Sequence, residues 1–219
     1  QETGWSENGI GRKFSHKFGY GLMDATAMVE LANIWKGAGE QLRCETPTQT
    51  LGRPIPDDPS TGVIVSMEID GQCAQSRIRY LEHVQCKLSL HYNPRGALHI
   101  MLISPSGTRT SLLLPRPKDK TNGGFDDWAF LTVHFWGENP DGLWTLEILR
   151  SIDVTTAAKP MGLLKKWSLI FFGTEENPVN DDKADEETLT WNNKEEIQDV
   201  NENLFDSYTG LSKDTISPE

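Results

Sequence analysis

The chain has 219 residues, 37% of them hydrophobic and 9% aromatic, enough for one sizeable core and too few for multidomain machinery. Its formal charge of −11 lies in one place, since residues 1–173 carry 18 Lys and Arg against 18 Asp and Glu while residues 174–219 carry 3 against 14. A neutral body with an acidic tail excludes nucleic-acid binding, and the lack of any long apolar run or of a basic stretch leading into one excludes a spanning helix and a signal peptide. A missing segment is expected upstream of Gln1.

Residues 1–37 are glycine-rich and then helical. Asp24 is placed to cap a helix, Met28, Leu31, Ala32 and Trp35 share one face, and Gly37 is placed to stop it. That spacing predicts about three turns. From Ala38 to Gly173 the apolar period changes to two, with turn residues between short runs, which is the pattern of an all-β sandwich or barrel. Strands are predicted at Val63–Ile69, Val84–Tyr92, Leu98–Ser104, Ser111–Leu114, Phe130–Trp136, Trp144–Leu149 and Trp167–Gly173. Asn139, Pro140, Asp141 and Gly142 read as a type I turn that makes a hairpin of the fifth and sixth strands, and Ser104, Pro105, Ser106 and Gly107 read as a similar turn. Beyond Thr174 the polar, acidic composition predicts a mostly disordered tail. Ile197, Val200 and Leu204 stand at helical spacing there and permit a short amphipathic helix on a partner or a membrane, although a solvated tail with stray apolar residues is the plainer reading.

Few residues carry obvious chemistry. Three cysteines without a Cys-x-x-Cys pair argue against a thiolate metal site. Cys86 alternates with Val84, Leu88 and Leu90 and is read as a buried apolar thiol. Cys44 and Cys73 flank the first strand and are the sensible pair, with both the bridged and the reduced form left open. The histidines His16, His83, His91, His99 and His134 are read as isolated surface residues. Asp57 with Asp58 and Asp126 with Asp127 lack the spaced oxygen ligands of a calcium loop and read as loop acids. No Gly-x-Ser-x-Gly occurs, and Gly107, Thr108 and Arg109 place Arg where a Gly-Thr-Ser nucleophile turn needs Ser. No catalytic residue and no metal ligand is assigned. Of seven tryptophans, Trp136, Trp144 and Trp167 are expected in the core, and Trp128, read as a loop residue after Phe125, Asp126 and Asp127, is the candidate for docking on another domain.

Several of these segments, taken in order, resemble the kexin- and furin-type proprotein convertases of the subtilisin superfamily. Gly9 through His16 and Tyr20 through Ala25 resemble the end of the catalytic domain. Leu81 to Gln85, Tyr92 to Gly96, Ser104 to Thr108, Gly124 to Phe130, Thr132 to His134, Trp136 to Glu138, Trp144 to Ile148 and Phe172 to Thr174 resemble the P, or homo B, domain. The tail shows no such match, and its acidic, cysteine-free composition looks more like the granule-sorted convertases. Two departures stand out: Ala97 where the family usually has Asp in an Arg-Gly-Asp motif, and Cys86 where it usually has no cysteine.

The resemblance implies three regions. Residues 1–37 would end a subtilisin-like α/β catalytic domain, 38–174 would form a jelly-roll β-sandwich, and 175–219 would be the acidic tail. It implies a Cys44–Cys73 disulfide and a contact with the catalytic domain through Trp128 and Phe125. The implied function is non-catalytic support of a serine endopeptidase that cleaves secretory precursors at paired basic residues, because the triad would lie upstream of Gln1. No cofactor is expected in this chain, and calcium is expected in the parent catalytic domain. The implied partners are that catalytic domain, precursor proteins through the parent and, for the tail, a membrane or granule surface. The implied location is the secretory pathway. The alternative is a free-standing β-sandwich that binds a ligand or protein, against which the N-terminal helical segment speaks.

Overall fold

Alternation of apolar and polar residues dictates most of what the computed structural model shows. It describes residues 4–35, 37–71, 73, 75–151 and 162–178. The tail and its proposed helix at Ile197, Val200 and Leu204 lie outside the described residues. Contacts divide the chain into Gln1–Pro178 and Val179–Glu219.

The N-terminal segment holds a small hairpin, β1 (Ser6–Glu7) with β2 (Lys13–Phe14), and one helix, α1 (Ala25–Ala32). Asp24 caps α1 as expected, its carboxylate accepting from the Ala27 N–H at 3.0 Å. The helix is shorter than predicted because it ends at Asn33, ahead of the poor helix former Ile34. None of its residues is buried, and Met28 and Leu31 on its apolar face, with Trp35 just past its end, stay about half exposed.

The rest is a sandwich of β3 (Leu42–Glu45), β4 (Gln49–Ile55), β5 (Gly62–Ile69), β6 (Tyr80–Tyr92), β7 (Leu98–Ile103), β8 (Arg109–Leu113), β9 (Phe125–Thr132), β10 (Gly142–Arg150) and β11 (Gly162–Thr174). One sheet has the order β5-β10-β7-β8, the other β3-β11-β6-β9, with β4 also paired to β11. All pairings are antiparallel. From β4 onward successive strands alternate between sheets except for the β7–β8 hairpin, which is jelly-roll connectivity. Strand β5 shows the cause: Val63, Val65, Met67 and Ile69 face inward while Ile64, Ser66 and Glu68 face out. Trp144, Trp167, Phe135 and Phe171 fill the centre. The indoles keep polar partners there, Trp144 donating to the Pro140 carbonyl at 2.7 Å and Trp167 to Gln49 Oε1 at 3.1 Å.

Four expectations are corrected. The turn at Asn139–Gly142 forms, with the Asp141 N–H donating to Asn139 Oδ1 at 2.8 Å, but β9 and β10 lie in different sheets and make no hairpin. The turn reverses the chain across the sandwich edge because Trp144 must enter the core. By contrast, the Ser104–Gly107 turn does join paired strands β7 and β8. Strand β9 begins at Phe125 and stops at Thr132, so Trp128 is a strand residue and Trp136 a half-buried turn residue. Strands β3 and β4 escape the pattern because Gly52, at φ +61°, and Pro54 interrupt β4.

Cys44 and Cys73 are bridged, with Cα atoms 5.5 Å apart and a sequence separation of 29. Closing a loop of that length stabilises by about 3 to 4 kcal/mol. Cys86 is free and buried, and burial pushes its thiol well above the usual range.

Candidate functional site

The motifs scattered through the sequence meet at one end of the sandwich, where the N-terminal segment is fastened to it. Asn8 is the first anchor. Its amide donates to the carbonyls of His134 at 3.2 Å and Trp136 at 3.0 Å, while its Oδ1 accepts from the N–H groups of Ile10 and Arg12. This Asx-type turn aims Gly9 at the sandwich. The Gly9 N–H donates to Thr108 Oγ1 at 2.8 Å and Glu138 Oε1 at 3.0 Å, and the Thr108 hydroxyl donates to the same carboxylate oxygen. Only glycine fits, since a Cβ on Gly9 would stand 2.2 Å from Ser106 Cβ.

Aromatic packing completes the joint. Phe14, 2% exposed, stacks on His134 with ring centres 4.1 Å apart. The Arg12 guanidinium lies 4.7 Å above the Trp136 ring, and Tyr20 meets that ring edge-on at 5.1 Å. The Tyr20 hydroxyl donates to the Val133 carbonyl. Burial pushes Tyr20 up to about 12. Burial, helped by neighbouring His16, pulls His134 down to about 4. Thr110 Oγ1 lies 2.6 Å from His134 Nδ1. Trp5, Ser6, Glu7, Lys13 and Tyr20 line an open cleft of about 610 Å³ beside these groups.

The histidines are therefore not all isolated surface residues. His134 is buried in the joint, His16 packs edge-on against it at 4.5 Å, and His83 stacks on Phe172 at 4.3 Å. His99 Nε2 lies 2.8 Å from Ser111 Oγ. That Ser–His contact sits on the outer face of the four-stranded sheet, where the nearby carboxylate Glu147 is bound by Arg109 at 2.6 Å. Among the described residues, no group of three or more His, Cys, Asp or Glu is placed to hold a metal. Asp57 pairs with Arg150 at 3.2 Å and Asp127 with Lys166 at 2.9 Å.

Trp128 lies on β9, opposite Leu88 and next to a register shift, with Asp127 at φ 46°. It is 56% exposed. As β9 ends its sheet, the Trp128 ring leaves the core at the rim, 6.3 Å from Phe130. Leu131, on the other face of the same strand, and Val133, just past its end, are exposed as well. Phe125, expected beside Trp128 at that surface, is only 8% exposed. It packs edge-on against Phe130 at 5.1 Å, under the Arg95 guanidinium at 5.3 Å. Phe125 thus supports the surface from below, and Trp128 presents it.

These features describe a contact surface. The groups that sequence reasoning missed are Asn8, Thr108 and Glu138, whose partners lie up to 129 residues away in the chain.

Comparison with known proteins identifies the family. Residues 81–171 match the family model described as proprotein convertase P-domain. Furin-like protease 2 of Drosophila melanogaster is 45% identical over 181 residues, covering 82% of this chain and 11% of its own length. Human furin is 42% identical, covering 85% of this chain and 23% of furin. Human neuroendocrine convertase 2 is 38% identical over 89% of this chain and 30% of its own length. That last alignment covers more than the 174 residues ahead of the tail and so extends into it. The chain thus spans less than a third of each of these relatives. The crystal structure of a serine protease of Aeromonas sobria matches with a TM-score of 0.61 at 24% identity, covering 78% of this chain and 33% of that one, which speaks to the fold alone. With its jelly-roll sandwich and its convergent motifs, the chain carries a P domain of the furin-like proprotein convertase family.

Proposed function

We propose that this chain is the supporting portion of a kexin-type serine endopeptidase that processes secretory precursors at paired basic residues. The observation that carries the reading is the joint: residues 8–20 are locked to the sandwich, while the apolar face of α1 that follows is left uncovered. Exposed Leu22, Met23, Met28, Leu31 and Trp35 form more apolar surface than a short polar segment leaves open by chance. A preceding catalytic domain would cover it, and the sandwich would hold the end of that domain in place. Trp128 with Leu131 and Val133 would provide a second contact at the rim of β9, supported from below by Phe125.

In this reading the sandwich contributes no reacting group. Its work is to bury apolar surface of the catalytic domain and to fix the position of the segment that ends it. Calcium belongs to the parent catalytic domain, and the protein travels the secretory pathway. The acidic tail serves sorting or membrane contact there, a role that rests on its acidic composition and the helical spacing of Ile197, Val200 and Leu204.

Substituting Trp128→Ala in the longer convertase polypeptide tests the reading. The expected result is docking weakened by about 2 to 4 kcal/mol, seen as a lower melting temperature and less secreted protease. Full thermal stability with full secretion would contradict it.

A further inference from the structure

Glu138 is 0% exposed, yet it is a carboxylate, and burying one costs desolvation that a leucine would avoid. Its main chain is fixed to the sandwich: the Glu138 carbonyl accepts from the Leu81 N–H at 2.9 Å, and the neighbouring Gly137 N–H donates to the Leu81 carbonyl at 2.6 Å. Its side chain reaches the other way. Oε1 takes the Gly9 N–H at 3.0 Å together with the Thr108 hydroxyl, while Oε2 has no protein partner. Thr108 belongs to the loop that returns from the Ser104–Gly107 turn, its carbonyl accepting from the Ser104 N–H at 3.0 Å. One carboxylate oxygen therefore ties together the β7–β8 turn, the β9–β10 connection and the N-terminal segment.

An apolar side chain at this position would fill the space without choosing which backbone group lies over it. A carboxylate chooses, because a main-chain N–H must sit at hydrogen-bond distance, and only Gly9 approaches closely enough against Ser106. We propose that Glu138 is the positioning residue of the joint, its Oε1 gripping the Gly9 N–H and so setting the register in which the N-terminal segment enters the sandwich. This deepens the support role proposed above and rests on that reading for its importance to the protease, but it concerns contacts inside this chain and is tested there.

The test is amide hydrogen exchange of the 219-residue chain, read residue by residue by NMR. Glu138→Leu is expected to speed exchange at Gly9 and Arg12 by about 10- to 100-fold, the loss of a buried charge-assisted hydrogen bond, with Ile100 and Leu169 in the core unchanged. Glu138→Gln keeps an acceptor oxygen and is expected to hold Gly9 within about threefold of the unsubstituted chain. Unchanged Gly9 exchange in Glu138→Leu, or Gly9 exchange in Glu138→Gln as fast as in a Glu138→Leu chain that has lost protection, overturns the proposal. If Glu138→Leu does not fold, Glu138→Asp, whose shorter side chain draws the carboxylate back from the Gly9 N–H, is read instead, and unchanged Gly9 exchange there overturns it equally. Failure of the Trp128 test in the longer polypeptide would leave these amides protected, so the two ideas fail separately.

Discussion

Single atoms decide the joint. A methyl group on Gly9 would meet Ser106 Cβ at 2.2 Å, and Ser106 cannot retreat without opening the turn that carries Thr108. Gly9→Ala is therefore expected to destabilise the chain by about 1 to 3 kcal/mol, with Ser106→Gly in the same background restoring part of the loss. Thermal unfolding of the three variants checks this, and a Gly9→Ala chain as stable as the original would show that the approach is looser than it looks. His134 gives the joint a pH dependence. Its ordinary value of 6.5 falls to about 4 on folding because burial, and then His16, disfavour the charged ring. Between those values the unfolded chain holds a proton that the folded chain lacks, so stability is full above about 6.5 and declines as pH falls toward 4, by up to about 3 kcal/mol. Urea unfolding at pH 7 and pH 4.5 measures the decline, and His134→Gln is expected to flatten it. An equal decline in both chains would assign it to other groups.

At the level of elements, strand β3 depends on its disulfide. It is four residues long and pairs along one side only, with β11, so Cys44→Ser with Cys73→Ser is expected to cost about 3 to 4 kcal/mol and to free β3 before the core. Faster amide exchange confined to Leu42–Glu45 would agree; a uniform loss across β6 and β11 would not. The elements also show what the sequence made legible. Strands β5, β6, β7, β10 and β11 announce themselves because one face of each meets the core, which forces a period of two onto Val63 to Ile69 or Trp144 to Ile148. Gly52 and Pro54 erase that signal from β4. The Asn139–Gly142 turn encodes a reversal of direction but not a partner, and the hairpin reading failed on that difference. At the site, Trp128 was visible as an aromatic among acids, and Phe14 and Tyr20 lay within recognised motifs. Asn8 lay outside those motifs and Glu138 lay inside one without a role, because their partners are brought near only by the folded chain.

For the whole molecule, the account joins two facts: a sandwich that closes its own core, and an N-terminal segment that is locked to it at residues 8–20 but exposes an apolar helix immediately afterwards. Both follow if, as proposed, the sandwich is the footing of a larger domain. The most direct measurement is hydrogen exchange of this chain alone and as part of the longer convertase polypeptide, compared at residues 25–35 and 125–133. The account predicts strong added protection in both stretches of the longer polypeptide, with little change in the already protected core strands β6 and β11. Equal exchange in the two forms at residues 25–35 and around Trp128 would contradict it.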